Sequence, residues 1–561
     1  MYLNVKKLVQ KRVGQLQKRQ LSLKHHNTKK EKQMKKLILV LVILMAAGYL
    51  YAGGQSEASE TVLEINKTGL PIVEEKVTID VVSLARVHHG DFSQMTFLKE
   101  MEENTNIHLE VEAVPQGSYP EKKNLKLASG DLPDVFAGLA VITASDIVKY
   151  GSEGIFLPLE DLIEEWAPNL SALKKKYPDL FMTSTAPDGH IYALPRVEQR
   201  GVNAVMGNFF INKKWLDNLG LEVPDTFEEY FTVLKAFKEQ DANGNGDPND
   251  EIPYEFAQIG MQGNRSLAGF GNLLGAYGQA TDTLILVDGS CVYAPVTEKY
   301  KKSMIYLKKF FDAGLFDPEG FTYNIPTHWS KFRGSDPAVI GSFISWNDHD
   351  VVGNAQDEYL TLPPLAGPEG DRAWMYGPHF AWAAPFAVLT SANQQPELTI
   401  RYFDEYYKIE NSIKQFWGDA VTPNGDGTFS LTPVPEGRTY DELKYRNTPS
   451  DYPGAVFADD FGKLVPRSVS VAEKYNDIQT IYMNYPQTTL FPTNILLTPE
   501  DNEIITTYFT DIENFTVQKQ AEWLLGKSDL ESDWDSYIKR MNDMGLQKIL
   551  DVYTAAWQKL Q

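Results

Sequence analysis

From Lys76 onward, the spacing of apolar residues changes between strand and helix periodicity. The stretch "KVTIDVVSL" alternates apolar and polar positions like a strand, "MTFLKEMEENTN" spaces its apolar residues like a helix, and "IHLEVEAVP" alternates again. A strand, a helix and a strand within about forty residues predict a βαβ unit, and such units build parallel sheets. The pattern therefore predicts that an α/β domain begins near residue 76.

Glycine, proline and capping residues predict where further elements begin and end. The helix in "NLKLASGDLPD" is predicted to stop at Gly130, before a short apolar strand at residues 135–137. The helical stretch "DLIEEWAPNLSALKKKYPDL" is interrupted by Pro168. In "VPDTFEEYFTVLKAFKEQ", either Asp225 or Thr226 is predicted to cap a long helix.

The middle and the end of the chain differ in character. Residues 257–390 are predicted to alternate Gly/Pro-rich loops with short strands and are rich in Trp and Tyr, whereas roughly the last seventy residues have helical spacing. The tryptophans in helical stretches are predicted to pack in the core: Trp166, Trp215, Trp417 and Trp534. The pattern predicts an α/β fold with a helical C-terminal part.

Composition and charge exclude several classes of function. The chain has 561 residues, of which 43% are hydrophobic, and this is enough for a large core. The formal net charge of -22 argues against binding to nucleic acid or to an anionic membrane surface. Cys291 is the single cysteine, so the chain has neither an intramolecular disulfide nor a multi-cysteine metal site.

The N-terminal region is predicted to be separate from the fold. Residues 34–52 read as a signal peptide, because two lysines precede sixteen uncharged residues that end in small ones. Residues 1–33 are predicted to be an untranslated or leader segment, with translation from Met34 favoured over a long basic leader. Residues 53–75 suit a tether. No cysteine follows the apolar run, so we expect an exported, periplasmic protein without a lipid anchor there.

An acidic loop follows the long helix and has the spacing of a calcium site. Side-chain oxygens occupy the first, third and fifth positions, and Gly246 occupies the sixth, as in an EF-hand loop. The twelfth position is Ile252, so two earlier carboxylates must close the site. The predicted ligands of a structural Ca²⁺ are Asp241, Asn243, Asn245, Asp247, Asp250 and Glu251. A solvated turn is the alternative, and a catalytic carboxylate pair fits poorly.

Several motifs occur together in a familiar order. These are "LASGDLPDVF", "GIFLPLEDLIEEWAPNL", "DGHIYALP", "NKKWLDNLGLEVPDTFEEYFTVLKAFKEQDANGNGDPNDEIP" and "YFDEYYKIENSIKQFWG". Over residues 76–561 the chain resembles the family 1 extracellular solute-binding proteins of ABC transporters, in the subgroup with lipoprotein-like and alginate-oligosaccharide-binding members. In that subgroup a "DxNxNGxxDEIP" loop binds calcium, and this chain has one extra residue before "DEIP".

The resemblance implies a bilobal periplasmic binding protein fold. Two α/β lobes are joined by crossing hinge strands, and the ligand lies in the cleft between them. The implied segments are 76–198 in lobe 1, 199–368 in lobe 2 with the calcium loop at 241–251, 369–420 back in lobe 1, and 421–561 mainly in lobe 2.

A cleft that binds sugar needs flat aromatic rings for stacking and polar side chains for paired hydrogen bonds. Loops near the expected crossings supply both kinds of residue. The predicted ligand-binding residues are Arg86, His88, Glu198, Arg200, Asn208, Trp346, Asp348, Trp374, Tyr376 and Trp382. For the aromatic residues core packing is the alternative, and for the charged ones it is a surface salt bridge.

These observations favour a monomeric binding protein over an enzyme. We expect it to capture a carbohydrate, most simply an oligosaccharide, and to deliver it to the membrane permease subunits of an ABC importer. The alternatives are a binder of peptides or lipid precursors on the same fold and a secreted glycan-active enzyme. Common signatures of hydrolases, such as "GxSxG" and "HExxH", are absent from the sequence.

Overall fold

The computed structural model describes residues 63–199, 205, 207–258, 269–322, 333, 335–346, 348–377, 384–467 and 469–561. Within these ranges, residues from Glu64 onward belong to one compact unit that extends to Gln561. The predicted leader, the signal peptide and residues 53–62 of the predicted tether lie outside the described residues. From Glu64 onward the predicted tether is instead part of the compact unit, where Ile72 and Val73 are buried. No helix in the described ranges combines the length and apolar character of a membrane span.

A six-stranded sheet forms the larger of two main sheets, and its first part confirms the predicted βαβ unit. In sequence order its strands are β1 (Val77–Ala85), β2 (Ile107–Pro115), β3 (Val135–Ala137), β4 (Leu194–Glu198), β11 (Ala384–Leu389) and β14 (Gly454–Val456). Their spatial order is β14-β4-β11-β3-β1-β2. Strand β1 is parallel to β2 and β3, and β14 is parallel to β4, whereas β11 is antiparallel to both of its neighbours.

A three-stranded sheet forms the second main sheet. Its central strand β5 (Asn208–Asn212) is antiparallel to β8 (Ser342–Ser345) on one side and to β9 (Tyr359–Leu362) on the other. The remaining strands form two-stranded pairs: β6 (Leu284–Val287) with β7 (Ser290–Tyr293), β10 (Trp374–Tyr376) with β15 (Gln487–Thr489), and β12 (Val421–Pro423) with β13 (Phe429–Leu431).

Helices cover both sheets and fill the C-terminal part, as the sequence predicts. The described α-helices are α1 (Thr96–Thr105), α2 (Tyr119–Ser129), α3 (Ala144–Ser152), α4 (Glu160–Trp166), α5 (Pro168–Lys176), α6 (Lys213–Leu219), α7 (Phe227–Glu239), α8 (Glu298–Asp312), α9 (His349–Val352), α10 (Pro396–Asp404), α11 (Ile409–Trp417), α12 (Tyr440–Tyr445), α13 (Val469–Thr480), α14 (Pro499–Leu524), α15 (Leu530–Asp543) and α16 (Leu546–Leu560).

Local signals located several helix boundaries. Thr226, rather than Asp225, caps α7, because its hydroxyl accepts from the Glu229 backbone N–H at 3.1 Å, and the Glu229 carboxylate returns the bond in a capping box. Gly130 follows α2 with a φ of +77°, a left-handed conformation that glycine adopts without strain. Helix α8 is an unpredicted element in the middle region, where loops and strands are expected.

The largest hydrophobic cluster packs around the smaller sheet and the C-terminal helices. It contains Trp215 and Trp534, and Trp417 is buried in a separate cluster below β14. These three positions confirm the packing role predicted for them, whereas Trp166 is half-buried. Strand β14 lies within the segment predicted to be mainly in lobe 2, yet it pairs with β4 in the larger sheet.

Candidate functional site

The predicted site residues lie where the chain leaves one main sheet and enters the other. Strands β1, β3, β4 and β14 run in one direction, so Arg86 and Glu198 lie at the same edge of the larger sheet. After Glu198 the chain crosses to Asn208, the first residue of β5. In open α/β sheets, ligands bind beyond the carboxyl ends of strands. This topology therefore favours a ligand-binding site at that edge and at the start of β5.

A cavity of about 380 Å³ opens beside the smaller sheet. Asn208 pairs with Ser345, so the start of β5 lies next to the end of β8, and Trp346 follows immediately. Helix α13 closes the other side of the cavity. The described residues that line it are Asn208, Phe210, Trp346, Asp348, Gln356, Asp357, Tyr359, Thr361, Glu473, Lys474 and Asp477.

Trp346 and Lys474 lie in contact in the wall of the cavity. The Lys474 ammonium lies 4.1 Å from the centroid of the indole ring of Trp346 and donates to the Trp346 carbonyl oxygen at 2.9 Å. It also lies 3.4 Å from the Asn208 side-chain oxygen. Lys474 is buried, and these contacts fix the tryptophan with its ring in the wall of the cavity.

Asp477 organises a second set of contacts on the same wall. Its Oδ2 atom accepts from the Thr361 hydroxyl at 2.6 Å and from the Asn208 amide at 3.3 Å. Because Asp477 and Lys474 lie three residues apart on α13, they share one face of the helix. The helix thus places a lysine and an aspartate side by side against strand residues of the smaller sheet.

The burial of Lys474 predicts a pH dependence of stability. Burial lowers the pKa of Lys474 from 10.5 to about 7, and the nearby Asp477 carboxylate opposes this shift. Between pH 7 and 10.5 the unfolded chain therefore binds more protons at this group than the native chain does. We expect its contribution to make the free energy of unfolding rise by about 2 kcal/mol from pH 7 to pH 9.

Urea unfolding at pH 7, 8 and 9 measures this slope. The variant Lys474→Met is expected to remove it, whereas Lys463→Met, at an exposed position, changes the net charge equally and is expected to keep it. A Lys474→Met slope equal to that of the parent protein would contradict the burial argument.

Charged residues at the edge of the larger sheet are already ion-paired. Arg86 Nε lies 2.6 Å from Asp451 Oδ2, and its guanidinium lies 5.5 Å from the Tyr445 ring. Glu198 pairs with Arg196 at 2.8 Å, while His88 is exposed. These predicted residues therefore have the surroundings of a polar surface with balanced charge.

The structure separates the predicted ligand-binding residues into groups. Asn208, Trp346 and Asp348 line the cavity. Arg200 and Trp382 lie outside the described residues. Tyr376 is half-buried and is not among the described residues that line the cavity. Burial raises its pKa.

Trp374 is the predicted residue whose surroundings differ most from a binding platform. It is 2% exposed, and its ring stacks on Tyr482 with centroids 4.9 Å apart. Its indole N–H donates to the Gly207 carbonyl at 3.0 Å. Trp374 therefore has a packing role instead of the predicted ligand-binding role, because neither face of its ring is open to a ligand.

Sequence reasoning missed the residues that α13, β9 and the turn before β9 bring to the cavity: Asp357, Tyr359, Thr361, Glu473, Lys474 and Asp477. In "VSVAEKYNDIQT" the available signal was a lysine three residues before an aspartate. That spacing is common on solvated helices, so the signal could not distinguish a cavity wall from a surface.

The acidic loop folds around its own carboxylates. Asp241 Oδ2 accepts from the Gly246 backbone N–H at 2.9 Å, and Glu251 Oε1 accepts from the Ala242 N–H at 2.9 Å. Asp250 accepts from the side-chain amides of Asn243 and Asn245 at 3.0 and 2.6 Å. The six predicted ligands are therefore close together, although Asp247 bonds locally to Asn249.

Two oxygens in this loop have the surroundings that a cation ligand requires. The second carboxylate oxygens, Asp241 Oδ1 and Glu251 Oε2, are both buried without a hydrogen-bond partner. Burial and the neighbouring Asp250 raise the pKa of Glu251, as expected for a carboxylate that lacks a positive partner. The described residues contain no group of three or more His, Cys, Asp or Glu arranged for a metal, so the fit depends on amide oxygens as well.

Comparison with known proteins gives a consistent result. The model for bacterial extracellular solute-binding proteins matches residues 90–407, more than half of the chain. The fructooligosaccharide ABC transporter substrate-binding protein FusA of Streptococcus pneumoniae serotype 4 is 28% identical over 526 residues, which is 91% of this chain and 95% of that protein.

Solved structures of the S. pneumoniae protein have a similar fold. Its complex with kestose has a TM-score of 0.70 and 27% identity, and covers 86% of this chain and 99% of that one. An EF-hand mutant in complex with fructo-nystose has a TM-score of 0.69 with the same identity and coverage. These similarities confirm the predicted α/β fold class.

Proposed function

Because the chain belongs to the bacterial extracellular solute-binding proteins, we propose that it captures an oligosaccharide outside the cytoplasm and delivers it to the permease of an ABC importer. The cavity beside the smaller sheet is the proposed binding site, with Asn208, Trp346 and Asp348 among its ligand contacts. Proteins of this class bind and release their solute, so no turnover is expected.

One observation carries the proposal, namely the combination of side chains in the cavity. Trp346 supplies an aromatic ring of the kind that stacks on the apolar face of a sugar. Asp348, Asp357 and Glu473 line the same cavity, and carboxylates accept strong hydrogen bonds from hydroxyl groups. The relative FusA is named for fructooligosaccharides and has been solved with kestose, which supports an oligosaccharide over a peptide.

We also propose that ligand closes the two lobes, between which the chain passes after β4 and again before β11. Arg86 and Glu198 lie at the edge of the larger sheet from which the chain crosses, and we propose them as contacts from that lobe. Export by the signal peptide, residence in the periplasm and a monomeric state belong to the same proposal. Hinge closure of this kind requires ligand contacts to both lobes.

Titration calorimetry tests the proposal directly. The chain from Gly53 onward contains the whole compact unit and would be titrated with kestose, longer fructans, maltotriose, xylotriose and trigalacturonate. Saturable binding of at least one saccharide without release of product is expected. Binding of peptides or lipid head groups alone would move the assignment to another solute class, and cleavage of a bound saccharide would contradict a binding protein.

We propose that the loop from Asp241 to Glu251 holds a structural Ca²⁺. Asp241 and Glu251 would each supply a carboxylate oxygen, and the other predicted ligands would be Asn243, Asn245, Asp247 and Asp250. The cation would supply the positive charge that the two buried oxygens lack. The EF-hand mutant among the similar structures supports a site of this type in the relative.

Removal of calcium is expected to lower the stability of the protein. If the ion binds only the native state, the free energy of unfolding falls by about 2.7 kcal/mol when calcium at a hundred times its dissociation constant is removed. Thermal unfolding with calcium and with EDTA measures the effect. Asp241→Asn is expected to lower the midpoint and abolish the EDTA response.

Asp426→Asn is the matched control, because Asp426 lies in an exposed glycine-rich turn where it bonds to Thr428. This variant is expected to retain the full response to EDTA. An EDTA response that persists in Asp241→Asn would place the cation elsewhere, and no response in the parent protein would leave the loop as a hydrogen-bonded turn.

A further inference from the structure

We infer that the cavity selects oligosaccharides that carry no carboxylate, sulfate or phosphate groups. The inference rests on the proposed function and narrows its substrate class. The cavity is expected to bind neutral oligosaccharides, such as those of plant, starch or fructan type, and to exclude polyuronates and sulfated glycans. The observations that support it are the identity and pairing of the charged residues in and near the cavity.

The charge of the cavity wall is strongly negative. Four carboxylate residues, Asp348, Asp357, Glu473 and Asp477, line the cavity, and Lys474 is the single basic residue among its described lining residues. An anionic sugar would have to place its charge within a few ångströms of several carboxylates. Repulsion between like charges grows as distance and dielectric constant fall, so such a sugar is disfavoured in this partly enclosed space.

Lys474 does not offset this charge for a ligand. Its ammonium is directed to the Trp346 carbonyl and the Asn208 side-chain oxygen, and it lies over one face of the Trp346 ring. It is 3% exposed, so an anion would have to displace these contacts to reach it. Burial holds its pKa at about 7, and a substantial fraction of the group is therefore neutral near pH 7.

Three of the described arginines outside the cavity are also committed to other groups. Arg86 pairs with Asp451 at 2.6 Å, and Arg196 pairs with Glu198 at 2.8 Å. The guanidinium of Arg467 stacks on the Tyr475 ring at 3.7 Å. The two pairs cancel their charge locally, and a ligand carboxylate that approached either arginine would also approach its acidic partner.

Neutral sugars use the same carboxylates favourably. Each hydroxyl group can donate to a carboxylate oxygen, and such charge-assisted bonds are stronger than bonds between neutral groups. The exposed carboxylates of Asp357 and Glu473 are therefore acceptors for hydroxyls and barriers to anions. Replacement of each carboxylate with the corresponding amide separates these two roles, because an amide keeps an acceptor oxygen and loses the charge.

Calorimetry with matched ligands tests the inference. The neutral probes are kestose and maltotriose, and the anionic probes are trigalacturonate and the carboxylated form of whichever neutral probe binds, oxidised at one primary hydroxyl. We expect the anionic form to bind at least a hundredfold more weakly than its neutral parent. In Asp357→Asn/Glu473→Gln this ratio should shrink at least tenfold, and raising the salt concentration should also reduce it.

The matched control is Glu164→Gln, at an exposed position on α4, and it should keep the parent ratio. Equal or tighter binding of the carboxylated probe would overturn the inference while the proposed oligosaccharide function stands. A ratio unchanged in Asp357→Asn/Glu473→Gln would overturn the role of these carboxylates. If no saccharide of either kind binds, the proposed function fails and the inference fails with it.

Discussion

Replacing Trp346 with alanine is expected to weaken oligosaccharide binding by roughly thirtyfold or more, because aromatic anchors in binding sites typically contribute at least about 2 kcal/mol. The substitution removes the ring that lines the cavity and leaves its backbone carbonyl, to which Lys474 donates. The dissociation constant from calorimetry measures the effect. Because Trp346 is only partly buried, the variant is expected to fold.

Trp166→Ala provides a closely matched control. Trp166 is also half-buried and also lies beneath a lysine, since the Lys67 ammonium is 4.3 Å from its ring. It belongs to α4, on the larger sheet's side of the molecule, and is not among the described residues of the cavity. We expect unchanged binding in this variant. Equal losses in both variants would indicate general destabilisation rather than a stacking contact.

Replacing Arg401 with methionine is expected to lower the free energy of unfolding by about 3–5 kcal/mol, the usual cost of breaking a buried ion pair. The Arg401 side chain is 2% exposed and lies 2.8 Å from the Glu405 carboxylate, which is equally buried. It also donates to the carbonyls of Asn66 and Gly69 at 3.1 and 3.0 Å. Equilibrium unfolding in urea measures the loss.

The double variant Arg401→Met/Glu405→Gln distinguishes the cause. If the loss comes from an uncompensated buried carboxylate, removal of that charge should restore part of the stability. Lys408 lies 2.6 Å from Glu405. It therefore keeps its charged partner in Arg401→Met and loses that charge in the double variant. A double variant less stable than Arg401→Met would show instead that packing and the bonds to residues 66 and 69 dominate.

Features decided within a few residues could be predicted from the sequence. The βαβ unit, the end of α2 at Gly130 and the capping of α7 depend on local periodicity and local hydrogen bonds. The acidic loop is similar, because its carboxylates and amides bond to each other over fewer than about ten residues. Local structure of this kind follows the local sequence because few tertiary contacts compete with it.

The candidate site was only partly predictable because its walls come from distant parts of the chain. Trp346 and Asp348 follow a predicted strand, and that position distinguished them. Lys474 contacts Trp346 across 128 positions of sequence, and no local pattern predicts that pairing. The sequence around Trp374 has the composition of a binding loop. Its ring is nevertheless covered by Tyr482, which follows α13.

The position of β14 also determines the order in which the chain can fold. Its partner β4 ends at Glu198, whereas β14 begins only at Gly454, and β11 between them in sequence supplies the link from β4 to β3. Closing such long loops is entropically costly and slows folding. During synthesis or passage through a membrane, the larger sheet therefore lacks two strands until most of the chain has emerged. Until then, the exposed sides of β3 and β4 are open to incorrect pairing, and chaperones that bind extended segments have their longest opportunity to act.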